Sequence, residues 1–339
     1  MENQLQPEQE GAGRSEAQAE AEAPMHKDRL LSVSIFLSAV ILAGAWVYAA
    51  RLKGAALGPT GTAFVAETGI HGTNASSKEE TVLPVQWGDL GKQLVATGVI
   101  DRDQFEAVYQ SRGGLKETER MLFTATGNGA LTINAENASV LLNLLWALGI
   151  GNKNAILENG PMMDSQYGGA ANFASTGGWT IAQGDPMNHY SRHAFVTLTP
   201  AQQSLVERVS KNIYRPCCNN STYFPDCNHG MAMLGLLELM AAQGVTENEM
   251  YRAALAVNSY WFPDVYDTIA WYFAAKGISW DKVDPQEALG AEYSSGKGFQ
   301  RIQSLVPAAP QKGGGGGCGV EQEQPQQKAP QGGGGGCGV

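Results

Sequence analysis

Residues 138–148 read ASVLLNLLWAL, and this run decides the fold class. It is apolar on nearly every helical face, which predicts a helix buried on all sides rather than a surface helix with one apolar stripe. It is too short to cross a membrane, which takes about 20 residues. Outward from it the same local device recurs three times: a helix ending in Gly, one apolar residue, then a polar start for the next helix. The copies are Ala96-Thr97-Gly98-Val99 before Asp101, Ala242-Gln243-Gly244-Val245 before Thr246, and Ala275-Lys276-Gly277-Ile278 before Ser279. Glycine suits the left-handed position just past a helix, and the apolar residue after it can fold back on the last turn. Each copy predicts a corner between packed helices. Thr199 before Pro200, Thr246 with Glu249, and Asp284 with Pro285 and Glu287 add helix starts. The stretch from Gly151 to Phe195 has no helical period and carries Gly168-Gly169 and Gly177-Gly178. It predicts loops, with a short hairpin, over one face of the helices.

The expected fold class is therefore mainly α: a single N-terminal transmembrane helix, an irregular helical-hairpin bundle, and a Gly-rich tail. Residues 1–29 are rich in Glu, Gln and Ala with no aromatic side chain, the composition of a disordered cytoplasmic arm. Residues 30–50, LLSVSIFLSAVILAGAWVYAA, contain no charge and match the length of a membrane-spanning helix. A buried core helix would show a polar stripe, and a cleaved signal peptide would not follow so long a polar lead. Ala45 stands where a lipidated cysteine would be needed. An uncleaved signal anchor is the expectation, with Trp46 and Tyr48 at the interface and the following domain outside the cytoplasm. Residues 51–82 read as a linker, 83–305 as a helical Cys/His domain, and 306–339 as a flexible tail.

The formal charge of -10 and the lack of any Lys/Arg cluster exclude a nucleic-acid partner, because phosphate binding needs concentrated positive charge. The lipid bilayer, reached through one helix, is the expected partner, with a metal donor or acceptor or a thiol partner protein.

The densest reactive set is Arg215-Pro216-Cys217-Cys218, followed after seven residues by Asp226-Cys227-Asn228-His229. Pro216 and Pro225 bracket a loop that can fold back and bring its ends together. Asp226 is the expected N-cap of the apolar helix MAMLGLLELM, which places Cys227 in the first turn, where the helix field favours a thiolate. A second pair, His189 and His193, puts both rings on one face if helical, and with His229 could complete a site. Cys217, Cys218, Cys227 and His229 have the ligand types of a zinc site, although neighbours Cys217 and Cys218 do not easily share one ion. Thiolates mixed with the thioethers of Met187 and Met231 suit copper(I). Met231 and Met233 also fit plain core packing. Arg215, Asp226 and Asn228 are candidates to orient the ligands.

There is no G-x-S-x-G, H-E-x-x-H, P-loop, C-x-x-C or C-x-x-C-H anywhere, so an enzyme is the less supported class and no catalytic residue is assigned. The tail carries GGGGGCGV twice, placing Cys318 and Cys337 on slack arms where they could act as mobile thiols.

The stretch YRPCCNNSTYFPDCNHGMAMLGLLELMAAQG, with NLLWALGIGNKN and the terminal Gly-Gly-Cys-Gly-Val, resembles an uncharacterised family of membrane-anchored bacterial proteins sharing an RPCC…FPDCNHG core. The resemblance runs from about Leu83 to the C-terminus and implies a bacterial surface setting, with no activity or ligand attached. The expected function is a membrane-anchored extracytoplasmic protein that binds copper or zinc, with the tail cysteines as exchange ligands. Two alternatives stand beside it: a thiol-disulfide redox protein using the same cysteines, and a structural cell-surface protein stapled by them.

Overall fold

The described residues, 80–306 of a computed structural model, begin with a strand where the sequence predicts the end of a linker. In Thr81–Gly88 (β1), Leu83, Val85 and Trp87 are buried while Val82 and Gln86 face outward. This is the period of two expected of a half-buried strand. β1 pairs antiparallel with Asn128–Ile133 (β2), Thr81 opposite Ile133 and Gly88 opposite Asn128. The register slips between Val82 and Gln86, where Pro84 has no N–H to give a ladder. The backbone of Gln86 finds a side chain in place of a third strand. Its N–H donates to Gln243 Oε1 and its carbonyl accepts from Gln243 Nε2, both at 2.8 Å.

Three helices lie between the strands: Leu90–Ala96 (α1), Arg102–Gln110 (α2) and Glu117–Thr124 (α3). After β2 come Ala138–Gly151 (α4), Ala155–Asn159 (α5), Pro200–Ser210 (α6), Asn228–Ala242 (α7) and Glu247–Trp261 (α8). Pro263–Ala275 (α9), Pro285–Leu289 (α10), Ala291–Ser294 (α11) and Gly296–Leu305 (α12) complete the order. The mainly α expectation holds for these residues. None of these helices is long and apolar enough to cross a membrane. The arm, the span Leu30 to Ala50, most of the linker and the tail with Cys318 and Cys337 lie outside the described residues.

α4 and α7 are the two central helices, buried along almost their whole length. They touch through glycine. A Cβ on Gly149 would lie 2.1 Å from the Met231 carbonyl, and one on Gly235 would lie 2.5 Å from the Leu145 carbonyl. Backbones this close exclude any larger side chain. Met231 and Met233 are fully enclosed in the core, so both serve packing.

The three corners form as the sequence predicts. Gly98, Gly244 and Gly277 have φ of +78°, +77° and +79°. At the second, Val245 N–H donates to Met240 O at 3.0 Å and Gly244 N–H to Ala241 O at 3.1 Å, closing the helix end. Val99 and Val245 pack inward, whereas Ile278 is 38% exposed. Thr199 with Gln202 and Thr246 with Glu249 form reciprocal capping boxes. Asp284 accepts from Gln286 N–H at 2.9 Å.

From Gly151 to Phe195 the chain is mostly loop, as expected, but it holds the short helix α5 and, among the described residues, no hairpin. Short 3₁₀ turns at Pro161–Met163, Ser165–Tyr167, Ala170–Asn172 and Pro186–Asn188 replace it. The left-handed pair Gly168 and Gly169 turns the chain repeatedly instead of letting it extend. Trp179 anchors this cover against the core, its Nε1–H donating to Val99 O at 2.8 Å and its ring packed on Trp146.

Candidate functional site: a thiol cluster at the start of a central helix

Between α6 and α7 the segment 211–227 doubles back on itself. Thr222 N–H donates to Ile213 O at 2.8 Å, and Tyr214 bridges Ser221. Within the fold a turn closes from Cys218 N–H to Arg215 O at 3.3 Å. The start of α12 pins the loop from outside, Gly296 N–H on Cys218 O at 2.8 Å and Lys297 N–H on Asn219 Oδ1 at 2.9 Å. The loop therefore converges as the bracketing prolines predict.

Cys217, Cys218 and Cys227 meet there with their sulfurs all within 4.8 Å of one another. Cys217 Sγ is 3.5 Å from Cys227 Sγ, and the three are unbonded thiols. This corrects the expectation that adjacent Cys217 and Cys218 do not share one ion. The turn after Arg215 directs both side chains to the same side.

Cys227 is the N-cap of α7, in place of Asp226. Its sulfur accepts from Gly230 N–H at 3.4 Å. Asp226 is drawn away by charge, because its carboxylate pairs with Arg215 and accepts from Asn220 Nδ2 at 2.7 Å.

Arg215 is the centre of the arrangement. It is 1% exposed, and all three nitrogens of its fork donate hydrogen bonds. Nε–H donates to Cys227 Sγ at 2.9 Å, one terminal nitrogen to Asn220 O at 3.1 Å, and the other to Phe224 O at 2.9 Å and to Asp226. Burial opposes its charge, but Cys227, Cys218, Asp226 and Cys217 outweigh that and raise its pKa further. The guanidinium lies against Gly230, where a Cβ would come within 2.5 Å of its central carbon. Sequence reading missed Asn220, Gly230 and the Phe224 carbonyl as parts of the site. Only the bracketing of the loop by prolines pointed toward them.

The electrostatics separate the thiols. Hydrogen bonds from Cys217 and Cys218, the Arg215 charge and a contact with His229 hold the Cys227 thiol well below its ordinary value, against burial. It is a thiolate. Cys218 goes the other way: although Cys217 acts to lower it, Cys227 and burial push it up to about 12. Burial also raises the Asp226 carboxyl despite Arg215 beside it. Cys217 and Cys227 share a hydrogen bond while Cys218 donates toward Asn220 O and Asp226 Oδ1, and a soft cation displacing the thiol protons would find three sulfurs already assembled.

His229 is buried beside the cluster, its ring 4.4 Å from Phe262 and 5.7 Å from Trp261 by centroids. It touches Cys227 and stands outside the three-sulfur group. Asn228 turns its carbonyl to the His229 N–H at 2.9 Å rather than to a sulfur.

His189 and His193 come together, but in a turn rather than on a helix, with Nδ1 of the first 3.2 Å from Nε2 of the second. They do not join His229. His193 bridges Asn152 at the end of α4, and Asn152 bonds Glu238, nine residues or about 13 Å along α7 from His229. Glu238 was not foreseen. It is fully buried, accepts from Asn152 Nδ2 at 2.8 Å, and is pushed well above the usual carboxyl value by burial.

No family model matches this sequence, and no curated protein and no solved structure is significantly similar to it.

Proposed function

We propose that this chain is a membrane-anchored protein that binds a soft metal ion through Cys217, Cys218 and Cys227. The observation that carries the reading is the convergence of three sulfurs within 4.8 Å, one of them hydrogen-bonded by a buried arginine. Thiolate ligands select copper(I), zinc and iron–sulfur centres. A three-sulfur set favours copper(I), since structural zinc takes a fourth ligand. Arg215 offsets part of the negative charge that three thiolates around a monovalent ion would leave. The span Leu30 to Ala50 supports placement at a membrane with the thiol domain outside the cytoplasm. Cys318 and Cys337 on their glycine arms suit transient coordination during metal transfer.

A second reading draws on one distance. Cys217 Sγ at 3.5 Å from the Cys227 thiolate is placed to attack a mixed disulfide on Cys227. Attack of Cys227 on a partner's disulfide releases the first partner thiol and leaves the mixed disulfide, and attack of Cys217 then releases the second as the Cys217–Cys227 bond forms.

The two readings separate on full-length, tag-free protein extracted in detergent without oxygen. Copper, zinc and free thiols are measured per chain. About one metal ion per chain, lost in Cys227→Ser, supports the metal centre. A metal-free protein that refuses added copper(I) and cycles two thiols overturns it in favour of redox exchange.

A further inference from the structure

We propose that His189 and His193 form a second metal site, separate from the thiols, for a borderline divalent ion such as zinc or copper(II). The pair is built by unusual backbone. Ser191, between the two histidines, has φ of +53°, the one non-glycine residue in that region among the described residues. A left-handed conformation at a residue with a Cβ is uncommon and persists where the surroundings enforce it. Here they do: Ser191 N–H donates to Ile150 O at 2.8 Å, His193 N–H to Gly151 O at 2.9 Å, and Ser191 Oγ accepts from Asn154 N–H at 3.1 Å. The turn sets the rings edge to edge, 28° apart in plane, with Nδ1 of His189 and Nε2 of His193 hydrogen-bonded at 3.2 Å.

The nitrogens are prepared for a cation. His189 Nε2 lies 3.1 Å from the Gln183 carbonyl, which can only accept, so the proton sits on Nε2 and Nδ1 presents its lone pair to His193. A histidine whose outer N–H is fixed by a carbonyl is the usual arrangement for a metal ligand. An ion displaces the proton the two nitrogens share and turns the rings toward a common point; at 3.2 Å apart and the usual ~2.0–2.1 Å from a metal, the nitrogens then enclose an angle of roughly 100°, close to tetrahedral. His189 is buried while His193 is partly open, its ring stacked on Phe195, so an ion enters from the His193 side and keeps positions for water or an exchanging ligand.

The test uses the full-length, tag-free chain with Cys217, Cys218, Cys227, Cys318 and Cys337 all changed to Ser, so that failure of the thiol centre cannot mimic failure here. Added copper(II) should bind at about one ion per chain with couplings to two nitrogens in its paramagnetic resonance spectrum, and His193→Gln should remove that binding. Absence of stoichiometric binding, or a spectrum unchanged by His193→Gln, overturns the proposal. Should the serine chain not fold, the comparison moves to wild type against His193→Gln with zinc. One ion fewer in the variant supports the site, and equal stoichiometry overturns it.

Discussion

Arg215 Nε lies 2.9 Å from Cys227 Sγ, and the same guanidinium holds Asp226 and two loop carbonyls, so one buried cation fixes both the charge of the thiolate and the shape of the loop. Arg215→Gln should remove both. Losing one partner of a buried ion pair costs roughly 3–5 kcal/mol, and each kcal/mol is about 2–4 °C in Tm for a domain of this size. Thermal unfolding should show the drop, and alkylation of Cys227 should need a higher pH. Arg215→Lys should restore some of the reactivity but less of the stability, since lysine lacks the planar fork.

The thiolate makes stability depend on pH in a defined direction. Because the folded pKa of Cys227 is depressed, its contribution is full above the unfolded value of about 8.5 and is lost as pH falls through the folded pKa. Between the two, each pH unit lowers stability by about 1.4 kcal/mol. Urea unfolding of reduced, metal-free protein at several pH values should show this slope as the difference between wild type and Cys227→Ser. Equal slopes would contradict an ionised Cys227.

Glu238 works with the opposite sign. Its folded pKa is raised, so the folded state is favoured most below the unfolded carboxyl value of about 4.3, and stability falls as pH rises from there. Glu238→Gln keeps the shape and an acceptor for Asn152 without the charge. At pH 8 it should melt above wild type, with the gap closing near pH 4. A variant less stable at pH 8 would mean that a charged Glu238 is needed.

Glycines should divide by what surrounds them. At Gly230 a Cβ meets the Arg215 guanidinium at 2.5 Å, and at Gly149 it meets backbone at 2.1 Å. Overpacking of that kind costs roughly 1–3 kcal/mol. Gly149→Ala should lower Tm with the thiols unaffected, whereas Gly230→Ala should also weaken metal retention. Gly244→Ala meets nothing within 4 Å and should cost only the left-handed penalty of about 1–2 kcal/mol.

What the sequence made legible was local. Gly98, Gly244 and Gly277, and the caps at Thr199 and Thr246, signal through residues within a turn of each other, so pattern alone finds them. β1 was missed: Leu83, Val85 and Trp87 alternate as a strand does, but the end of a linker and the start of a helical domain were expected there, its partner lies beyond three helices, and Pro84 disguised it. The cysteines were legible as a group and their convergence was not. That convergence depends on Arg215, on a carbonyl nine residues away at Phe224, and on α12 closing from residue 296, all set by tertiary contacts. His189 and His193 met for a reason different from the expected one, since the strained Ser191 does what a helical spacing was expected to do.

The most direct measurement is X-ray absorption at the copper edge on the full-length chain loaded with one equivalent of copper(I). The copper should show about three sulfur neighbours at the shortest distance and no bound nitrogen, with one sulfur fewer, or no retained copper, in Cys218→Ser. A spectrum dominated by nitrogen, or one unchanged when Cys217, Cys218 and Cys227 are replaced, would contradict it.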